Sequence, residues 1–186
     1  MDNKFPTTAV GLKGKCLVAT PKLKNTMWEE SVIFLTDYSK QLGSKGFVIN
    51  RPSTTSINKL LEQLDMYSTP DFPEAVHLGG PVRERSIAMV HTGEWYSAST
   101  TPVTGQISYS WDDFMLEKMC MMDCPREFTM LAGMAQWAPG QLEKELAKGS
   151  WLTVDASPEL VFLEVKEDIW PEAVKLYSQT MFDEFF

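Results

Sequence analysis

The chain has 186 residues, which fits one domain, and its 44% hydrophobic and 23% charged content matches a packed globular protein rather than a disordered one. A formal net charge of −8 weighs against direct DNA binding, whose affinity comes from cations set against phosphates. No apolar run approaches the roughly 20 residues that cross a bilayer, and the first six residues lack the basic and apolar stretches of a signal peptide, so a soluble, cytoplasmic chain without a membrane segment is expected.

In chain order, Lys13, Lys15, Lys22 and Lys24 flank the apolar run Cys16-Leu17-Val18-Ala19, which reads as a strand ended by Pro21 with its lysines in solvent. Thr26-x-x-Glu29 has capping-box spacing and predicts one helical turn. Ser31 to Thr36 and Gly46 to Asn50 read as strands, the second stopped by Pro52. Ser56 can cap a helix over 57–65, whose Leu60, Leu61 and Leu64 share a face. Strands follow at 75–78 and 87–91. Ser110-x-x-Asp113 predicts a helix ending near Cys124, because Pro125 disfavours helix at the residue before it. Weaker strands at 128–132 and 151–154 bracket a helix over 141–148 that Gly149 closes. A last helix covers 169–180, with Pro171 tolerable in its first turn, and residues 1–8 and 181–186 read as loose ends. Strands and helices do not alternate regularly, which predicts a single α+β domain.

Three segments carry candidate function. Pro52 holds Arg51 extended at a strand end beside Asn50, where a planar guanidinium can bind a carboxylate or phosphate, or an internal partner. Gly79-Gly80 permits backbone N–H groups to meet a ligand or another backbone, or simply makes a tight turn. Gln141 and Glu143 open a helix behind Trp137, Pro139 and Gly140, with Glu143 serving either a ligand or the helix dipole, and Trp137 as a core anchor needing one indole partner.

Familiar chemistry is missing. The three cysteines, Cys16, Cys120 and Cys124, are an odd set for a disulfide framework, and Cys120-Met121-Met122-Asp123-Cys124 fits core packing better than a soft-metal site. Neither His77 nor His91 has partners at a metal-ligand spacing, and no nucleophile elbow, P-loop or dinucleotide glycine pattern occurs. No cofactor or metal is expected.

Gly14-x-Cys16-Leu17-Val18-Ala19-x-Pro21, Gly46-x-Val48-Ile49-Asn50-Arg51-Pro52, Gly79-Gly80-Pro81-Val82, Gly133-x-x-x-Trp137-x-x-Gly140-Gln141-Leu142-Glu143 and Trp151-Leu152 stand in this order, and together they resemble the YqgE/AlgH family over nearly the whole chain. Val90-His91 is similar to a family segment in which a histidine ends a strand. Met134, Gln136 and Ala138 depart from the family pattern around the third segment. The resemblance implies a central mixed or antiparallel, partly barrel-like β-structure flanked by helices, and its name carries a suggestion of transcriptional regulation. No helix-turn-helix or basic recognition helix accompanies it.

The expectation is a non-enzymatic binding or regulatory domain acting through a small anionic ligand or a protein partner. Its candidate ligand-binding residues are Asn50, Arg51, Gly79, Gly80, Gln141, Glu143 and His91, provided that the three segments converge. The alternative is an enzyme with Glu143 or His91 as the proton-transfer group and Arg51 on an anionic substrate.

Overall fold

Cys16-Leu17-Val18-Ala19 shows no polar alternation because both faces of its strand are covered. The computed structural model describes residues 11–185. The strands are β1 (Lys15–Ala19), β2 (Val32–Ser39), β3 (Gly43–Val48), β4 (Pro52–Ser56), β5 (Ala75–Leu78), β6 (Val82–Thr92), β7 (Thr101–Pro102), β8 (Ile107–Ser110), β9 (Phe128–Trp137) and β10 (Trp151–Asp155). The helices are α1 (Ile57–Gln63), α2 (Asp113–Cys120), α3 (Gln141–Ala147), α4 (Pro158–Val161) and α5 (Ile169–Phe185).

The sheet runs β10-β1-β2-β3-β9-β6-β8-β7, and it curls into a half-barrel. β4 and β5 pair with each other off this path, and β5 joins β9 in parallel while the other pairings are antiparallel. β9 is the shared strand: its Ala135, Gln136 and Trp137 pair with β3, and its residues from Phe128 to Ala132 pair with β6. The fold is therefore mixed α+β, as the irregular order of elements predicted.

Alternate residues divide among three apolar layers. Cys16, Val18, Val32 and Phe34 enter the inside of the curl, which α4 and α5 close with Leu160, Val161, Ile169 and Ala173. Leu17, Ala19, Ile33 and Leu35 face outward and are covered by Leu142 of α3 and by Trp137 and Trp151. Met89 and Met130 face a third layer built by Ile57 and Leu61 of α1 and Met115, Leu116 and Met119 of α2. Burial of Cys16 pushes its thiol up to about 12, with the charge of Asp155 adding to the effect, so it behaves as a small hydrophobe.

Several elements differ from the sequence expectation. Thr26-x-x-Glu29 forms turns in which Thr26 Oγ1 accepts from the Trp28 N–H and Glu29 Oε2 accepts from the Asn25 N–H, and the helical turn lies earlier, at Pro21–Leu23. Ser110 belongs to β8, and α2 is capped by Asp112, whose carboxylate accepts from the Met115 N–H at 3.0 Å. β9 is ten residues long and carries Gly133 within it. α5 continues to Phe185, beyond the expected end at 180. The looseness expected of residues 1–8 falls outside the described residues.

Gly79, Gly80 and Gly133 mark where two backbones cross. A Cβ on Gly79 would lie 2.4 Å from the Gly133 oxygen, and one on Gly133 would lie 2.3 Å from the Gly80 oxygen. Side chains are shut out of this crossing by contact alone.

Candidate functional site

The Asn50-Arg51-Pro52 turn ends β3 and pins the segment that enters β2. Asn50 Oδ1 accepts from the Val32 N–H at 2.9 Å, while its Nδ2 donates to the Glu30 carbonyl at 2.8 Å. Arg51 Nη2 donates to the Glu29 carbonyl and to Ser31 Oγ, the latter at 3.1 Å. Arg51 makes no ion pair among the described residues; its internal partners are neutral oxygens. Behind the turn, His77 Nδ1 donates to the Ile49 carbonyl at 3.0 Å. Burial holds His77 down at about 4, helped by the charge of Lys166 and opposed by that carbonyl.

Beside this turn lies a cleft of about 460 Å³. Arg51 and Ser31 line it together with Gly80, Pro81 and Glu84. Met27, Trp28, Val48, Leu78 and Ala132 supply apolar surface. Its charged lining residues are Arg51 and Glu84. Gly79 sits under the rim with both backbone groups engaged: its N–H donates to the Ala132 carbonyl at 2.8 Å and its carbonyl accepts from Val48 at 2.9 Å. Gly79 thus braces the crossing, and Gly80 is the member of the pair that reaches the cleft.

A wider hollow of about 900 Å³ runs along α1 and the loop after it. It is open, and Glu62, Asp65 and Asp71 outnumber Lys59 in its lining, so an anion is not favoured there.

Gln141 and Glu143 are absent from the lining of the Arg51 cleft. Gln141 Oε1 accepts from the Ala138 N–H at 3.0 Å, and Glu143 accepts from the Tyr38 hydroxyl at 2.8 Å. Both fasten α3 to its surroundings, where left-handed Gly140 (φ +74°) admits the chain into the helix without a side-chain cap. Trp137 finds its expected partner in Glu145, one turn into α3. Glu145 Oε2 accepts from the indole N–H of Trp137 at 2.9 Å and of Trp151 at 2.8 Å, and Oε1 accepts from Gln141 at 2.9 Å. Trp151 stacks edge-on with Trp137 at 6.3 Å and with Trp28 at 6.1 Å. A row of three tryptophans therefore joins α3 to the cleft wall.

His91 lies elsewhere, fully buried in β6 between β8 and β9. Its Nδ1 faces the Thr92 carbonyl at 2.9 Å and must carry the proton there, so Nε2 accepts from the Ser110 hydroxyl at 2.9 Å. Ser110 also contacts Thr100 Oγ1 at 2.6 Å, and Trp95 packs edge-on against the imidazole at 5.0 Å. Burial lowers the His91 pKa, opposed by the Thr92 carbonyl and Glu94. Serine and histidine are paired here, but both are fully enclosed, and the group orienting the histidine is a carbonyl rather than a carboxylate. No cluster of three or more metal-ligating side chains occurs among the described residues.

The structure therefore brings Asn50, Arg51 and Gly80 to one place, with Gly79 beneath them, and sets Gln141, Glu143 and His91 apart. Trp28, Leu78 and Glu145 are the residues that sequence reasoning passed over. Trp28 stands in a stretch that reads only as a turn, and Leu78 looked like an ordinary strand residue until its 56% exposure showed it unpaired with any core.

A family model described as AlgH-like matches residues 16–181. A UPF0301 protein of Shewanella frigidimarina is 32% identical over 163 residues, covering 86% of this chain and 87% of the relative. A UPF0301 protein of Methylococcus capsulatus is 32% identical over 173 residues, covering 92% and 94%. Among solved structures, the solution structure of the AlgH protein from Pseudomonas aeruginosa superimposes with a TM-score of 0.75 at 30% identity, covering 95% of this chain and 93% of that one. A crystal structure of a Corynebacterium diphtheriae protein shares the fold, with a TM-score of 0.68 at 23% identity and coverage of 92% and 87%. No helix among the described residues is long and apolar enough to cross a membrane.

Proposed function

The chain belongs to the AlgH-like family, and on that premise we propose that it is a binding or regulatory domain whose ligand sits in the cleft beside Arg51. The ligand is a small anion or the acidic group of a protein partner, held without chemical change. One observation carries this reading: an arginine with unused donors opens into a cleft whose apolar residues are partly exposed. Its volume lies within the roughly 300–1,000 Å³ of small-molecule sites.

Two features support binding over catalysis. The imidazole of His91 is enclosed with both nitrogens engaged, and Glu143 is bound to Tyr38 outside the cleft. Glu84 is the one carboxylate of the cleft lining, and no histidine, cysteine or lysine stands there to complete a proton-transfer or nucleophilic pair with it.

A thermal-shift screen of the wild type and Arg51→Ala tests the proposal, using nucleotides, phosphorylated metabolites, organic acids and uncharged compounds of similar size. A ligand at about 100 times its Kd adds roughly 2.7 kcal/mol, which for this chain length raises Tm by on the order of 5–10 °C. A shift in the wild type that is lost in Arg51→Ala is the expected result. Absence of any shift, charged or neutral compound alike, refutes a small-molecule site in the cleft.

A further inference from the structure

We infer that the occupant of the Arg51 cleft is a monocarboxylate carried on an apolar body; this deepens the binding reading above and rests on it. The argument begins with Arg51. Its hydrogen bonds to Glu29 and Ser31 both leave from Nη2, so Nε and Nη1 donate to nothing among the described residues. A guanidinium fixed by one nitrogen and open at the others is oriented before a ligand arrives, which suits the planar, two-oxygen geometry of a carboxylate. Gly80 lines the same cleft, and its N–H has no acceptor among the described residues.

Charge limits the ligand. Arg51 is the one cation of the lining and Glu84 its one anion. A single negative charge placed at Arg51 is compensated there. A phosphate dianion brings a second charge with no second cation to meet it, while Glu84 opposes it.

The walls describe the rest of the molecule. Met27 is 61% exposed and Leu78 is 56% exposed, and both border the cleft beside half-buried Trp28 and Ala132. Unpartnered apolar side chains around a pocket mark surface that a ligand's hydrocarbon can cover. With the carboxylate on Arg51, the ligand's apolar body has Met27, Trp28 and Leu78 of the same lining to cover.

The test is calorimetric titration of the full chain with hexanoate, octanoate and decanoate, with hexanamide and octanamide as uncharged counterparts, and with inorganic phosphate. Affinity for the acids should rise about fourfold per added methylene until the cleft is filled. The amides should bind about tenfold more weakly, because a neutral carbonyl brings no negative charge to meet the Arg51 guanidinium. Leu78→Glu alters an exposed residue and leaves the core alone, so it should fold normally and lose acid binding. Arg51→Lys keeps the charge but loses the planar fork, and should weaken the acids about tenfold and the amides, which offer one carbonyl oxygen, by less. Amides that bind as tightly as acids, or phosphate that binds more tightly than octanoate, would overturn the carboxylate assignment and leave the binding cleft standing. Binding of acids that Leu78→Glu does not reduce would place them elsewhere and overturn the assignment. If neither acids, amides nor phosphate bind, the carboxylate assignment fails; if the broader screen above is also negative, the small-molecule cleft reading fails as well.

Discussion

Asn50 reaches back twenty residues to donate its side-chain N–H to the Glu30 carbonyl. Glu30 has φ +54°, a conformation that a non-glycine residue adopts only when its surroundings hold it there. The same amide accepts from Val32, so one side chain satisfies two main-chain groups of the segment that carries Trp28 into the cleft. Asn50→Ala should cost about 1–2 kcal/mol, because the Val32 N–H loses its acceptor in a partly buried place while the exposed Glu30 carbonyl turns to water. Chemical denaturation checks the loss, and Asn50→Asp, which keeps only the acceptor, should fall between the two.

Gly133 is required by contact. Its φ is +76°, and a Cβ there would meet the Gly80 oxygen at 2.3 Å and the Glu84 Cα at 3.2 Å, all backbone atoms that cannot swing aside. Gly133→Ala should destabilise the chain by about 3–5 kcal/mol or prevent folding. A urea midpoint that moves by less than the equivalent of about 1 kcal/mol would show that the strands separate easily.

Glu145 serves both Trp137 and Trp151 with one oxygen. Glu145→Ala leaves two indole N–H groups without an acceptor and should cost about 3 kcal/mol, with Glu145→Gln losing roughly half of that. Near-ultraviolet circular dichroism reads the consequence directly, since these rings form the tryptophan row. An unchanged spectrum in Glu145→Ala would show that packing alone fixes the rings.

His77 makes stability depend on pH. Its folded value of about 4 lies below the ordinary 6.5, so the unfolded chain binds the extra proton between these values. The stabilisation is fully present above about pH 6.5 and is lost as pH falls towards 4, by about 3 kcal/mol. His77→Asn keeps a donor for the Ile49 carbonyl without titrating, and should reduce the slope of unfolding free energy against pH in this window. His91, lowered in the same direction, contributes to the slope that remains.

Much of the framework was legible because burial on both faces writes continuous apolar runs, as in Cys16 to Ala19 and Val32 to Leu35. Strands lacking that signature were missed. β4 is Pro-Ser-Thr-Thr-Ser with no buried residue, and β8 hides Ser108 and Ser110, the latter bonded to His91 and Thr100, where hydrogen bonds rather than hydrophobicity make burial tolerable. Within the site, Arg51 and the glycine pair were visible as unusual residues. Their meeting depends on the crossing of β5 and β9, which local pattern does not encode. Gln141 and Glu143 looked like ligand groups because polar residues at a helix start have that capacity. Here Ala138 and Tyr38 take it up.

The double allegiance of β9 also sets an order of events during synthesis. β3 is complete at Val48, yet its outer edge waits for Ala135 to Trp137, and β1 waits for β10. At ribosomal rates of about 5–20 residues per second, the edge of β3 is unpaired for on the order of ten seconds. During that interval the nascent chain offers Ser44, Lys45 and Gly46 on an open ladder, so the hazard of misassembly at this edge is concentrated before Trp137 emerges.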